Sequence, residues 1–321
     1  MAIKEVKYLS PSSIAAWENL ENFVKWYMVY PPLPRAEQSN AMALGSSFDA
    51  FVKNELSRCI YGGGSVKLGE TYHLETLFKK QVNNPDDQSW AWEEGGYLFL
   101  KYKDHGAFDD LLIDMEGCTE LIFEESILKN ITMPDGTVVP IKGIPDCSYR
   151  HRNGKLVILD WKCNNFRSSR KISPQKNYII ERPDGRSHNN VTPRDIDGIF
   201  MQDEYCFSDT NDKWAAQLAI YGWLRGQEIG SSFIGQIDQI LCEPGETKPE
   251  SRSVTYRSFI TPEYQFMLAD RITKIWKTIQ SGHIFLNLSR EESDAKMVAL
   301  SRYNEMANSG NPIMDIIKGI K

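Results

Sequence analysis

The stretch from Gly143 to Lys162, GIPDCSYRHRNGKLVILDWK, restricts what this chain can fold into more than any other. It carries Asp146 at the end of one β-rich segment and breaks at Arg152-Asn153-Gly154-Lys155. It then runs through Leu156, Val157, Ile158 and Leu159 into Asp160-Trp161-Lys162. Asn-Gly is a strong short turn signal, and four apolar residues after it suit a strand buried on both faces, so the stretch reads as a β-hairpin. Side chains alternate along a strand, which places Asp160 and Lys162 on one face and Trp161 on the other. Two carboxylates and an ammonium thus converge at the end of a buried hairpin, where charge must be paired or bound to a metal.

Three readings fit that convergence. In the first, Asp160 and Lys162 form a structural ion pair and Asp146 is a turn residue; an isolated Asp-x-Lys is structural far more often than not. In the second, the carboxylates hold a hard divalent cation, Mg²⁺ or Mn²⁺, and the lysine serves the reaction. In the third, the fold and a phosphate contact are kept without the chemistry.

The 321 residues, 41% hydrophobic and 25% charged, describe a globular protein able to bury a sizeable core. No apolar run approaches the ~20 residues needed to cross a bilayer, and MAIKEVKYLS has no signal-peptide core, so a cytoplasmic chain without membrane partners is expected. The six cysteines are scattered with no C-x-x-C, which suggests neither a zinc ribbon nor a disulfide framework. The net charge of −6 argues against a protein that coats nucleic acid, but phosphate contact needs only a local patch. One such patch exists. Between Lys162 and Arg194 eight basic residues, Arg167, Arg170, Lys171 and Lys176 among them, stand against only Glu181 and Asp184; such a run is more often a solvated loop than a binding surface, but this one leaves directly from Asp160-Trp161-Lys162.

Ser10-Pro11 reads as a capped helix start, with Ile14, Trp17, Leu20, Phe23, Val24 and Tyr27 at helical spacing behind it. Pro31-Pro32-Leu33-Pro34 ends that stretch and begins an extended linker. A second helix is predicted over residues 41–56, where Gly45 suggests a close backbone approach and Asp49 shares its face. Residues ~66–116 read as mainly helical. Cys118 to Leu128 reads as a strand bearing Glu124 and Glu125, of which only one faces inward. A turn at Pro134-Asp135-Gly136-Thr137 leads into Val138 through Asp146. Trp214 to Leu224 is a strong helix with Gln217 and Tyr221 four apart on one face. Strands follow around residues 233–241 and 253–260. Pro262 then opens a helix, a polar helix is expected near residues 290–308, and the tail NPIMDIIKGIK could dock a partner or another copy of the chain.

This order of elements resembles the PD-(D/E)XK nuclease superfamily, in particular its RecB-like and RecE-type exonuclease branch. The likeness runs from Leu9 to Leu224. LSPSSIAAW is similar to the family's amino-terminal Ser-x-Ser helix, ALGSSFDAFV to its Gly-x-x-x-His helix and FEES to its strand glutamate. GIPD is similar to its Gly-x-x-Asp, LDWK to its Asp-x-Lys and QLAIY to its Gln-x-x-x-Tyr helix. The resemblance implies an α/β (α+β) fold: a central mixed β-sheet flanked by helices, a restriction-endonuclease-like core with helical additions at both termini. It implies one domain over 1–321, helical over 1–116, with the catalytic core at 117–260 and carboxy-terminal helices at 261–321.

For function, the resemblance implies a Mg²⁺- or Mn²⁺-dependent deoxyribonuclease of DNA recombination or repair, an exonuclease more than an endonuclease, of the kind encoded by a phage or mobile element. Asp49, Glu124, Asp146, Asp160 and the Trp161 carbonyl would hold one or two ions. Lys162 would orient the attacking water and offset phosphorane charge, while Gln217 and Tyr221 would position that lysine loop or the DNA backbone. Ser10, Ser12, Arg167, Arg170, Lys171 and Lys176 would meet the DNA backbone. A single-strand annealing or other recombination protein, or a homo-oligomer, would be the partner. Asp49 stands where the family has histidine, and this departure motivates the alternative of a catalytically impaired DNA-binding or scaffold protein. The cysteine pattern of the iron-sulfur members is missing, so no cluster is expected.

Overall fold

In the computed structural model of the protein, residues 5–28, 38–61, 72–82, 89–164, 180–181, 187–188, 194–196, 212–242 and 251–281 are described. The helices are α1 (Pro11–Ala16), α2 (Leu20–Phe23) with a following π-turn (Val24–Met28), α3 (Asn40–Tyr61), α4 (Leu74–Gln81), α5 (Trp90–Asp104), α6 (Ala107–Met115), α7 (Asp212–Leu224) and α8 (Pro262–Gln280). The strands are β1 (Thr119–Phe123), β2 (Ile127–Thr132), β3 (Val138–Gly143), β4 (Cys147–Arg150), β5 (Leu156–Asn164), β6 (Ile180–Glu181), β7 (Ser187–His188), β8 (Arg194–Ile196), β9 (Phe233–Cys242) and β10 (Ser251–Ile260). The fold is α+β, with helices around a mixed sheet of parallel and antiparallel strands. Among the described residues no helix is long and apolar enough to cross a membrane.

Two compact units divide the chain: Met1–Ala36 with Ile127–Gly143 and Phe266–Lys321, and Glu37–Ser126 with Ile144–Gln265. In the first unit Ser10 caps α1, its hydroxyl accepting from the Ser13 amide at 3.2 Å while its own amide donates to the Ser13 hydroxyl at 2.7 Å. The helix nevertheless stops at Ala16, and the apolar-periodic stretch expected to run on to Tyr27 is broken into α2 and the π-turn. β2 and β3 form an antiparallel hairpin around the turn at Asp135-Gly136, with Gly136 at φ 84°, and Leu9 adds a parallel bridge to Ile141.

The second unit holds a six-stranded sheet in the order β1-β4-β5-β9-β10-β8. β5 lies between antiparallel β4 and parallel β9 within the sheet, and α3 and α7 pack on it, leaving Leu156, Val157, Ile158 and Leu159 at most 2% exposed. That is the environment a continuous aliphatic run demands. The β4–β5 hairpin forms as expected, but with a five-residue connection, since Arg150 pairs with Leu156. Gly154 supplies the left-handed residue at φ 83°. A parallel pair needs a crossover, and α7 lies in the connection between β5 and β9.

Two strand expectations are corrected. Cys118 to Leu128 is not one strand, because Glu124 adopts φ 53° and its amide donates to the carbonyls of Pro145 and Asp146 at 3.2 and 3.3 Å. β1 therefore ends at Phe123, and the chain passes to the other unit. Val138 through Asp146 is likewise two pieces, β3 ending at Gly143 before Asp146 leads into β4. Gly45 also differs from expectation. A Cβ there would meet only Cys163 Cβ, at an ordinary 3.5 Å, whereas one at Gly95 would sit 2.2 Å from Ser47 Oγ. The close crossing of α3 on α5 is made by Gly95.

On that side of the sheet a polar network lies beside the apolar core. Tyr102 donates to Asp238, whose other oxygen accepts from Gln236 at 3.0 Å, and Arg257 links Gln236 to Asp114 at 2.7 and 2.8 Å. Buried polar groups stay only where they are satisfied in this way.

Candidate active site

Every described residue of the expected site in the second unit lies around the second half of β5. α3 brings Asp49, the break after β1 brings Glu124, the approach to β4 brings Asp146, and α7 brings Gln217 and Tyr221. Alternation along β5 holds as expected. Asp160 and Lys162 share a face and form an ion pair, with Asp160 only 1% exposed. Gln217, one turn before Tyr221, reads both: its amide nitrogen donates to Asp160 Oδ1 at 3.0 Å and to Tyr221 Oη at 3.0 Å, and its carbonyl oxygen accepts from Lys162 at 3.3 Å. Asp146 accepts from the Trp161 amide at 3.2 Å, which ties the turn carboxylate to the strand.

Two residues at the site, Lys53 and Gln81, are not among those expected from the sequence. Lys53, wholly buried on α3, pairs with Asp49 and with Glu124 Oε1, the latter at 2.6 Å. Gln81, the last residue of α4, donates to Asp49 Oδ2 at 2.8 Å and to Glu124 Oε1 at 3.1 Å. The i,i+4 spacing of Asp49 and Lys53 was visible, but on a helix such a pair normally faces water. Glu124 is the inward acid of its pair, and Glu125 faces Arg225 at 3.0 Å instead. Ser10 and Ser12 belong to the other unit, where their hydroxyls lie 3.1 Å apart at the cap of α1. Arg167, Arg170, Lys171 and Lys176 lie outside the described residues, as do the 290–308 helix and the tail.

Burial sets the electrostatics. It pushes Asp160 up to about 8, with the neighbouring Asp146 adding to the shift and Lys162 opposing it. It pushes Asp49 up to about 7 against the pull of Lys53, with Asp146 and Glu124 on the raising side. For the two lysines burial works against the charge, but the carboxylates outweigh it: Asp49 foremost at Lys53 and Asp160 at Lys162 hold both above the usual lysine value. Burial also raises Tyr221, which stays a neutral phenol.

The donor chemistry suits a hard divalent cation: four carboxylates face two ammonium groups, and Asp49 Oδ1 is buried with no hydrogen-bond partner among the described residues. The arrangement is not that of a preformed cage. Among the described residues no three acidic, histidine or cysteine side chains are grouped to hold one ion, and Lys53 lies between Asp49 and Glu124.

No family model and no curated protein matches the chain. Among solved structures it aligns with one described as "Crystal structure of SSO0001", at 14% identity over 85% of this chain and 87% of that one, with a TM-score of 0.26. A likeness that slight carries no argument about site or function.

Proposed function

We propose that the chain is a metal-dependent deoxyribonuclease of the PD-(D/E)XK type, acting as an exonuclease in DNA recombination or repair. The observation that supports it best is the link from Asp146 and Asp160 through Lys162 to Gln217 and Tyr221. These residues come from three separate segments and are joined by hydrogen bonds and an ion pair, and on this reading each has a distinct task in phosphodiester hydrolysis. Asp146 and Asp160, with the Trp161 carbonyl and with Asp49 and Glu124 as further oxygen donors, are the groups that would hold Mg²⁺ or Mn²⁺. Such an ion supplies a Lewis acid and lowers the pKa of water.

The protein's own residues account for the remaining work. Lys162, held above the usual lysine value by the acids around it against its burial, does not act as a base at neutral pH; it orients water and offsets charge on the phosphorane oxygens. Gln217 fixes the ammonium and the carboxylate at once, so the pair keeps one geometry as substrate arrives. The basic segment from Lys162 to Arg194 supplies the charge for a DNA backbone.

End-labelled duplex incubated with Mg²⁺ or Mn²⁺ tests this directly. Release of nucleotides that stops in EDTA is expected. DNA binding without any release would favour the second reading, a cleavage-incompetent scaffold on the same fold. One observation favours that reading: Lys53 already occupies two of the carboxylates.

Metal binding should also show in stability. Asp49 and Asp160 have folded-state values raised to about 7 and about 8, so their protonated forms favour the fold. That contribution is complete below the ordinary aspartate range and is lost as pH rises through 7 to 8. In EDTA the chain should therefore melt lower at pH 8 than these groups allow at pH 6. A cation at 100 times its Kd restores about 2.7 kcal/mol. Its effect should be larger at pH 8, because the ligands must give up protons. Thermal unfolding at both pH values, with EDTA and with Mn²⁺, checks this; an equal or absent Mn²⁺ shift at the two would count against a carboxylate-bound ion.

A further inference from the structure

Arg225 follows α7 one turn beyond Tyr221, its amide donating to the Tyr221 carbonyl at 2.9 Å, and so extends the helix face that carries Gln217 and Tyr221. Its guanidinium reaches Glu125, Nη1 donating to Oε2 at 3.0 Å. Glu125 is the chain neighbour of Glu124, the acid turned into the cluster, and all of these residues belong to one unit. Arg225 thus stands at the border of the site, between α7 and the break after β1.

The pair is unevenly built. The Arg225 side chain is 13% exposed and that of Glu125 49%. A guanidinium is a planar fork of N–H donors suited to grip two oxygens of a phosphate or carboxylate at once. Among the described residues this fork is engaged through Nη1 alone, and Nε is buried with no hydrogen-bond partner. A largely buried charge with idle donors is costly, and a half-exposed carboxylate offsets that cost only weakly. The two lysines of the cluster are already taken, Lys53 by Asp49 and Glu124 and Lys162 by Asp160. Arg225 is the cation of this border with donors open to an incoming anion, and its present partner is readily exchanged.

We propose that Arg225 is a substrate-binding residue that grips a backbone phosphate of DNA next to the one cleaved, and that Glu125 is the internal carboxylate which this phosphate displaces. The assignment rests on the reading of DNA as the substrate. It requires no bond to be made or broken, only the exchange of one anionic group for another on the same guanidinium.

The test is DNA affinity in EDTA, which holds off cleavage, measured on the full chain by fluorescence anisotropy with a labelled duplex carrying single-stranded tails. Arg225→Met should bind about tenfold more weakly, what one hydrogen bond to a charged group is worth, with a salt slope lower by about one. Glu125→Gln should bind about two- to fivefold more tightly, since no carboxylate then competes with the phosphate. In an Arg225→Met background the same Glu125→Gln change should gain nothing. A wild type that binds no DNA, wild-type affinity in Arg225→Met, no gain in Glu125→Gln, or an equal gain in both backgrounds each overturns the assignment. The equal gain would mean that Glu125 acts by general repulsion. A purely structural pair would lower the urea midpoint in both single variants without moving affinity in opposite directions. Should Arg225→Met not fold, Arg225→Lys replaces it: weaker binding at an unchanged salt slope supports the lost fork, and wild-type affinity overturns it. Nucleotide release in Mn²⁺ is assayed separately. Affinities shifted as expected on a chain that releases no nucleotide defeat the nuclease reading alone, whereas release with equal affinities in all variants defeats the Arg225 assignment alone.

Discussion

Replacing Lys162 by methionine is expected to slow DNA cleavage about 10²–10³-fold, the usual cost of removing one donor aimed at developing negative charge. The fold should survive it. Breaking a buried ion pair costs about 3–5 kcal/mol when the surviving charge cannot be neutralised. Asp160 escapes most of that cost, because burial already pushes it up to about 8 and it can take a proton at neutral pH. The Gln217 amide still donates to its Oδ1 at 3.0 Å. Rates of nucleotide release, measured beside urea midpoints for the wild type and Lys162→Met, separate the two effects. Unchanged cleavage in a folded Lys162→Met would leave the Asp160–Lys162 pair with the structural role that an isolated Asp-x-Lys ordinarily has.

That ambiguity was present in the sequence and persists for a physical reason. The buried aliphatic run, the hairpin and the shared face of Asp160 and Lys162 were legible because strand alternation and two-sided burial are local rules. The Gln217–Tyr221 pair was legible for the same reason, through the pitch of a helix. Glu124 was identified, but not the break that turns it inward, since nothing local marks a glutamate for φ 53°. In that conformation its amide bonds to the carbonyls of Pro145 and Asp146, 21 and 22 residues further on. Lys53 was missed because its pairing with Glu124 is tertiary, and Gln81 carried no signal at all. The two helical glycines make the same point: which of Gly45 and Gly95 lies at a crossing depends on what packs there.

Gly222 gives the second large expected effect, and it ties the packing to the site. An exposed helical glycine replaced by alanine gains up to about 1 kcal/mol in helix propensity. At Gly222 of α7 the sign should reverse. A Cβ there would lie 2.1 Å from Phe233 Cζ, with Cε2 and Cε1 at 2.4 and 2.7 Å. The Phe233 ring is fully buried at the start of β9 and has no room to retreat, so α7 must move. Overpacking of this kind costs about 1–3 kcal/mol. The displacement acts on Tyr221 directly and on Gln217 little more than a turn away, the two residues that align Asp160 and Lys162. A shift of about 1 Å at a catalytic group can cost about 10²-fold in rate. Gly222→Ala should therefore lose both stability and cleavage. Gly45→Ala, whose new methyl meets only Cys163 Cβ at 3.5 Å, should be neutral or slightly stabilising. Urea midpoints for the two variants decide it: equal tolerance would mean that α7 does not lie against Phe233 as described, and the alignment of Lys162 by Gln217 would lose its support.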